Sequence, residues 1–290
     1  MPNLKEIRAR INSVASTEKI TNAMKMVSAA KLKKSEGITT SFLPYRDKLN
    51  EALSNYLGSL EGEVTIPLSE QRKVKRIALM AFTSSSGLCG VYNSNVIKLF
   101  KKTYDDYVER LGTDAVDVYL FGKKAKEYVQ RTGIGITKTH ESLSEHLSYE
   151  LAIEISDSMI SQFQEKKIDA VVLIYNHYKN AGVQIPSCET VLPLTPNRLE
   201  SEQSFDYLVE PSKEDFINKL VPKVIRTKFY SVMLDAITAE HGARMTAMHI
   251  ASDNANTLLQ ELKTQYNKAR QNVITTELID IVGGAEALNK

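Results

Sequence analysis

The stretch from residue 212 to residue 284 constrains this chain more than any other feature. It begins with Ser212, a favoured helix N-cap, three residues before Asp215. It ends at Gly283 and Gly284, and glycine readily adopts the left-handed conformation that closes many helices. A helix of about 70 residues would be on the order of 105 Å long, whereas globular helices average about 11 residues. We therefore expect this helix to pack along its length against a second helix.

Apolar residues recur along this stretch at steps of three and four, which is the spacing of a helix-pairing stripe. The stripe comprises Ala243, Ala247, Ala251, Ala255, Leu258, Leu262, Tyr266, Ala269 and Val273. Alanine dominates its first half, so a second backbone can approach closely there. The pattern therefore predicts a slim pair of helices.

The start of the chain supplies the second helix, predicted over residues 3 to 57. Asn3 and Glu6 form a capping pair, and a second helical stripe follows them. Its apolar members are Leu4, Ile7, Ile11, Val14, Ile20, Met24, Val27 and Ala30. Pro44 must kink or break this helix, and the pattern resumes beyond it, which favours a kink. Two antiparallel terminal helices would bury both stripes, with the rest of the chain inserted between them.

The middle of the chain has a different pattern of apolar residues, in which short apolar runs alternate with helical periodicity. We interpret residues 58–75 as a linker, 76–195 as one domain, 196–211 as a connector and 212–290 as the final helix. The predicted strands are 77–82, 116–121, 134–139, 170–175 and 183–192, the last at an edge, and the predicted helices are 94–111, 123–131 and 144–166. This alternation predicts an α/β domain with a mostly parallel sheet and helices on its faces.

Charge and composition exclude several classes of protein. The formal net charge is only +2, so bulk electrostatics does not favour nucleic acid. The first predicted helix is nevertheless basic, which suits either a solvated face or an acidic partner. No apolar run approaches the roughly 18 residues of a membrane-spanning helix. The two cysteines, Cys89 and Cys188, form no CxxC pattern, as expected in a reducing compartment.

The loop SSSGLCGVYN, residues 84–93, follows the first predicted strand. A glycine-bearing loop at this place can cradle a phosphate on its backbone N–H groups. However, Gly87 and Gly90 do not form a GxGxxG motif, and no GxxxxGK[ST] motif occurs in the chain. The alternative is that both glycines permit a tight turn with positive φ, and that Cys89 is a small buried residue.

No other pattern in the sequence indicates catalysis. His140 and His146 lack the HExxH spacing of a zinc site, and no nucleophile elbow is present. We therefore predict a chain with no catalytic, cofactor-binding or metal-binding residues. Two other interpretations stay open: a nucleotide-binding α/β protein with coiled-coil extensions, and a generic coiled-coil tether.

Three motifs stand out in the sequence: IRARINSVASTEKITNAMKMVSAAKLKK near the start, GLCGVYN after the first predicted strand, and AEHGARMTAMHIASDNANTLLQELKTQYNKARQNVITTELIDIVGGAEAL near the end. All three resemble the gamma subunits of F-type ATP synthase. The resemblance covers the whole chain in the family's order. It implies a non-catalytic rotor shaft: an antiparallel coiled coil inside a hexamer of alpha and beta subunits. An inserted Rossmann-like domain would then sit at the foot, near the epsilon subunit and the ring of c subunits.

The resemblance also implies roles for individual residues. Contacts with the stator would fall to Met24, Arg244, Arg270, Gln271 and Thr275, and contacts with the c ring to Tyr207 and Glu210 in the segment FDYLVEP. Three serines stand where the family often has charged residues before its GLCG loop, so an ionic contact from that loop is not expected. Because no transit segment or chloroplast-type insertion is visible, we expect the bacterial form, peripheral to the cytoplasmic face of the inner membrane.

Overall fold

The computed structural model describes residues 4–59, 68–141, 147–195 and 212–288. Its elements, in chain order, are α1 (Leu4–Ser59), β1 (Ile77–Phe82), α2 (Tyr92–Leu111), a 3₁₀ turn (Thr113–Ala115), β2 (Val116–Phe121), α3 (Lys123–Thr132), β3 (Lys138–His140), α4 (Tyr149–Gln164), β4 (Ala170–Asn180), β5 (Val183–Leu192) and α5 (Lys213–Leu288). They form two compact units. The first contains the described residues up to Ser28 and from Met245 onwards, and the second contains those from Ala29 to Arg244.

The first unit is an antiparallel coiled coil of the start of α1 and the second half of α5. The chain leaves this unit at Ser28 and re-enters it at Met245, so its two helical segments run in opposite directions. Buried apolar residues at the predicted positions include Ile7, Ala255 and Leu262, which confirms the two stripes in part.

Four stripe predictions were wrong, because Ile20, Val27, Ala30 and Val273 are exposed. In α1 the inward face passes instead through Thr21, which is half-buried, and Ser28, which is buried. At Thr21 the helix itself satisfies the hydroxyl, because Thr21 Oγ1 donates to the Glu18 carbonyl at 2.9 Å. Apolar periodicity cannot detect a seam that is built from small polar residues.

The bounds of α1 agree with the sequence to within two residues, whereas those of α5 agree at its start only. The Asp215 N–H donates to Ser212 Oγ at 3.1 Å, which confirms the predicted N-cap of α5. The predicted end at Gly283 and Gly284 was wrong, because α5 continues through both to Leu288. Glycine in a helix costs only about 1 kcal/mol relative to alanine, which is too little to stop a helix of this length. The helix α1 likewise continues through Pro44 without a break.

The second unit contains a five-stranded sheet in the order β3-β2-β1-β4-β5. All neighbouring strands are parallel except β5, which pairs antiparallel with β4 at one edge. This confirms the mostly parallel sheet and its edge strand. The third strand is shorter than predicted, and β4 extends five residues beyond its predicted end at Tyr175. Ser148 caps α4 through the Leu151 N–H, so α4 starts later than the predicted residue 144.

Each face of the sheet has its own apolar core. On one face the strands pack against α2 and α3, through residues such as Phe100 and Val129. On the other they pack against α4 and parts of α1 and α5, through residues such as Phe163, Tyr56 and Phe229. The two long helices therefore share a core with the sheet within this unit, and α5 passes the carboxyl ends of its strands.

Candidate functional site

The crevice outside the carboxyl ends of β1 and β4 is where open α/β sheets bind their ligands, since the strand order reverses there. In this chain the loop after β1 begins with Thr83 and Ser84 and contains the GLCG sequence. Its contacts decide whether the crevice has room for a ligand.

The N-terminus of α3 is capped by the chain itself. The N–H of Ala125 donates to Thr83 Oγ1 at 2.9 Å, and the N–H of Lys124 donates to the Ser84 carbonyl at 3.2 Å. Gly122 has a φ of 87°, and a β-carbon there would lie 2.0 Å from the Thr83 carbonyl oxygen. Only glycine therefore permits this crossing, and two of the N–H groups at the start of α3 are already bonded within the chain.

The GLCG loop is closed by its own hydrogen bonds. The Ser84 N–H donates to Asn93 Oδ1 at 2.9 Å, and Asn93 Nδ2 donates to Ser84 Oγ at 2.7 Å and to Cys89 Sγ at 3.1 Å. Cys89 is buried, as predicted. Positive φ occurs at Leu88 and Gly90 but not at Gly87, so the turn prediction was correct for Gly90 and wrong for Gly87.

Helix α5 occupies the place where a ligand would bind. Cys89 and Tyr92 pack directly against Ala239 and Ala243, and Tyr178 borders them; we call this contact the α5 socket. The Tyr92 hydroxyl donates to the Ala236 carbonyl at 2.8 Å, within the socket. Burial raises the pKa of Tyr92 well above its usual value, so this hydroxyl stays a neutral donor. The socket therefore binds a helix backbone where related architectures bind small molecules.

Arg244 ties α5 to the GLCG loop. Its guanidinium pairs with Glu240 Oε1 at 2.8 Å and donates to Ser86 Oγ at 3.0 Å and to the Ser86 carbonyl at 3.3 Å. The side chains of Arg244 and Glu240 are only 8% and 4% exposed. In this structure the Arg244 side chain thus bonds to residues of its own chain. Its expected contact with a stator stays a prediction.

A third tie joins α5 to the end of β4. The Tyr178 N–H donates to Asp235 Oδ1 at 2.8 Å, and His177 Nδ1 lies 2.6 Å from Asp235 Oδ2. Burial raises the pKa of Asp235, although His177 and the Tyr178 N–H both act to lower it. Over one stretch of ten residues, α5 is therefore held to the α/β domain at Asp235, Ala236 and Arg244.

The remaining predicted contact residues lie in the coiled coil or outside the described residues. Met24 is half-buried on α1, while Arg270, Gln271 and Thr275 are exposed on α5. The Thr275 hydroxyl donates to the Gln271 carbonyl at 2.9 Å. Tyr207 and Glu210 fall in the segment that the structure does not describe.

The described residues contain no group of three or more His, Cys, Asp or Glu side chains that could hold a metal ion. None of the described helices is long and apolar enough to cross a bilayer.

Comparison with known proteins places the chain in a family. The model of the family described as ATP synthase matches residues 3–288. The ATP synthase gamma chain of Flavobacterium johnsoniae is 48% identical over 290 residues, which cover all of both chains. The chain belongs to the ATP synthase gamma family.

Other members agree over the same length. The gamma chain of Bacteroides fragilis is 45% identical, covering 99% of this chain and all of the relative. Among solved structures, a chain of the Euglena gracilis mitochondrial ATP synthase in its OSCP/F1/c-ring assembly aligns with a TM-score of 0.66 at 16% identity, covering 98% of this chain and 94% of that one. A chain of the Tetrahymena thermophila central stalk and c-ring structure gives 0.59 at 24% identity, covering 80% and 99%. At these identities the two structures show a shared fold.

Sequence reasoning missed most of the contacts that hold α5 to the α/β domain. Glu240 and Arg244 stand four apart in a predicted helix, and that spacing could have indicated an ion pair. No such signal exists for Tyr92, Asp235 or Tyr178, because their partners are far away in the sequence.

Proposed function

We propose that this gamma-family chain is the central rotor shaft of an F-type ATP synthase. It couples ion-driven rotation of the c ring to ATP synthesis and hydrolysis at sites on the alpha and beta subunits. The chain itself is not catalytic. Its part in the coupling is an exchange of free energy between the angle of the shaft and the nucleotide affinity of those sites.

One structural observation supports this proposal independently of the family to which the chain belongs. Helix α5 is a single helix from Lys213 to Leu288, which starts in the α/β unit, passes the socket and continues into the coiled coil. Beyond its one internal proline, Pro222, this helix has a continuous hydrogen-bond ladder, which resists twisting when the helix is held at the socket. Torque applied to the α/β domain therefore has a direct path into the coiled coil. At the socket, α5 also packs into the crevice where a nucleotide-binding protein would hold its ligand. This weighs against the interpretation of the chain as a nucleotide-binding α/β protein.

The proposed partners are the alpha and beta subunits around the coiled coil, and the epsilon subunit and c ring near the α/β domain. Met24, Arg244, Arg270, Gln271 and Thr275 are the proposed stator contacts, by resemblance to the family. Arg270 suits that role physically, since an exposed guanidinium can hold a carboxylate in two parallel hydrogen bonds.

Tyr207 and Glu210 are the proposed contacts with the c ring, again by resemblance. Tyrosine can bury its ring against a partner loop while its hydroxyl keeps a hydrogen bond, and a glutamate can accept from a cationic or amide-rich loop. On this proposal the chain is peripheral to the membrane, at the cytoplasmic face of the bacterial inner membrane.

Rotation of the assembled complex tests the proposal. The chain would be co-expressed with the alpha and beta subunits of its own organism, and the purified complex assayed for ATP hydrolysis. Cys188 is exposed and Cys89 is buried, so a probe can be attached at Cys188 without mutation. We expect co-purification, and unidirectional rotation of the probe when ATP is added. A hexamer that assembles and hydrolyses ATP without this chain, or a bound probe that does not rotate, would overturn the proposal.

A further inference from the structure

Tyr178, near the end of β4, contacts both long helices at once. Its hydroxyl donates to Glu36 Oε1 on α1 at 2.5 Å. Its N–H donates to Asp235 on α5 at 2.8 Å, and its ring lies against Gly242, also on α5. One residue of the sheet is thus joined to α1 by a hydroxyl and to α5 by an amide and a ring.

The strand that carries Tyr178 projects beyond the rest of the sheet. β1 pairs with β4 only as far as Ile174, whereas β5 continues to pair with β4 out to Asn180. The end of β4 is therefore a two-stranded ribbon, which reaches from the sheet to the two helices. A narrow ribbon needs a firm anchor at its tip if it is to carry force.

The bond to Glu36 has the properties of a firm anchor. A hydroxyl that donates to a carboxylate makes one of the stronger hydrogen bonds in proteins, and such bonds are typically about 2.5–2.7 Å long. Burial and then Glu36 itself raise the pKa of Tyr178, so the hydroxyl keeps its proton. Neither side chain is fully exposed, which limits competition by water.

The other described ties of α1 are of different kinds. Leu53, Tyr56 and Leu57 pack into the core beneath the sheet. Further along, α1 contacts α5, where Arg46 donates to Ser231 Oγ at 3.1 Å and the ring of Phe42 packs edge-on against Tyr230. Glu36 lies 17 residues before Leu53, which is about 25 Å along a helix. It therefore attaches α1 to the ribbon well away from the core contacts.

We propose that Tyr178 is a positioning residue that fixes the twist of α1 against the α/β domain, with Glu36 as its acceptor. This inference rests on the proposed shaft function. Without the bond, the domain still holds α5 at Asp235, Ala236 and Arg244. However, α1 can then rotate against the ribbon, and part of the applied torque is lost as elastic twist.

Two single variants and their combination test this role. Tyr178→Phe removes the hydroxyl and keeps the ring against Gly242, and Glu36→Gln removes the charge and keeps an acceptor oxygen. Tyr104→Phe is the matched control, since Tyr104 packs on Phe100 on the other face of the sheet. Each chain is assembled into the whole ATP synthase, with a probe at Cys188. The measurements are the angular variance of the stalled rotor, the number of ions pumped per ATP hydrolysed, and the Tm.

For Tyr178→Phe we expect roughly a twofold larger angular variance and a lower pumping ratio, with little change in Tm. Glu36→Gln gives a smaller change in the same direction. The double variant does not exceed Tyr178→Phe, because both substitutions act on the same bond and Tyr178→Phe alone removes it. Tyr104→Phe behaves as the unaltered chain.

Unaltered variance in Tyr178→Phe overturns the inference, and so does a lower Tm accompanied by unaltered variance. Equal effects of Tyr104→Phe and Tyr178→Phe also overturn it, since the hydroxyl bond is then not the cause. If the unaltered chain neither assembles nor rotates, the proposed function itself has failed, which is a separate and recognisable result.

Discussion

A β-carbon placed on Gly242 of α5 would lie 3.0 Å from Cε2 of Tyr178 on β4. The backbone of Ala181 is nearly as close, at 3.3 Å from its Cα. This glycine does not serve an unusual backbone conformation, because it lies within a regular helix. It is small so that the tip of the β4–β5 ribbon can touch the helix.

Substitutions at Gly242 should separate helix propensity from packing. Alanine normally stabilises a helix by about 1 kcal/mol relative to glycine. Here the close contact cancels that gain, so Gly242→Ala should leave the free energy of unfolding nearly unchanged. Gly242→Leu should lower it by roughly 2–3 kcal/mol through overpacking. Thermal unfolding measures both.

Gly37→Ala on α1 is the control, because nothing lies within 4 Å of its added β-carbon. It should stabilise the chain by up to about 1 kcal/mol. Equal gains from Gly242→Ala and Gly37→Ala would show that the Tyr178 contact is not tight.

The buried pair of Glu240 and Arg244 should be costly to break from one side. Glu240→Gln leaves the guanidinium buried without its counter-charge, and such losses typically cost about 3–5 kcal/mol. Asp105→Asn, which breaks an exposed pair with Lys101, should cost far less, because water screens that pair. Chemical denaturation of the two variants side by side measures the difference. Similar small losses would mean that water reaches the Arg244 site.

His241 should make stability depend on pH. Burial, then Arg244 and Lys31, lowers its pKa to about 4. Unfolded histidine titrates near pH 6.5, so between about pH 6.5 and 4 the unfolded state binds more protons. The folded state should therefore lose about 1–3 kcal/mol as the pH falls through this window.

His241→Gln should reduce this loss, as measured by denaturation at a series of pH values. His249→Gln, at an exposed site on the same helix, should retain it. A pH profile that is identical in all three chains would contradict the assignment.

Met24 should tolerate a charge structurally but not functionally. Its thioether is apolar and flexible, which suits a contact that slides. A lysine there could pair with a stator carboxylate and so stabilise the shaft at one rotation angle. Met24→Lys should thus keep the fold, shown by an unchanged Tm, while fewer ions are pumped per ATP hydrolysed. Met26→Lys places the same charge on an exposed neighbour of α1 and should pump normally. An unchanged pumping ratio in Met24→Lys would remove Met24 from the contact.

Arg270 should matter more to ATP synthesis than to assembly. Its side chain is exposed on α5 and free to reach a carboxylate on a partner. The Arg270→Ala enzyme should assemble normally but synthesise ATP several-fold more slowly in energised vesicles. We expect an effect of this size because a charge-assisted hydrogen bond contributes about 1.5–3 kcal/mol. Lys268→Ala, two residues away and also exposed, is the control. Normal ATP synthesis by the assembled Arg270→Ala enzyme would contradict the assignment of Arg270 as a stator contact.

Local signals in the sequence were enough to predict the two long helices, the bounds of β1, β2 and β5, and the family. Each of these depends on a local signal: the period of apolar residues, the N-cap at Ser212, or a contiguous motif. Local signals are sufficient when one element's own residues decide which of its faces is buried.

The residues of the coiled-coil seam and of the socket depend on long-range packing, which local signals do not show. Thr21 and Ser28 lie on the inner face of α1 where larger apolar residues were expected, because small side chains fit where two helices approach closely. The bonds from Tyr92 to Ala236 and from Tyr178 to Glu36 span 144 and 142 positions of sequence. Periodicity shows which face of an element is buried, but not which distant element will cover it. That choice depends on how the whole chain packs.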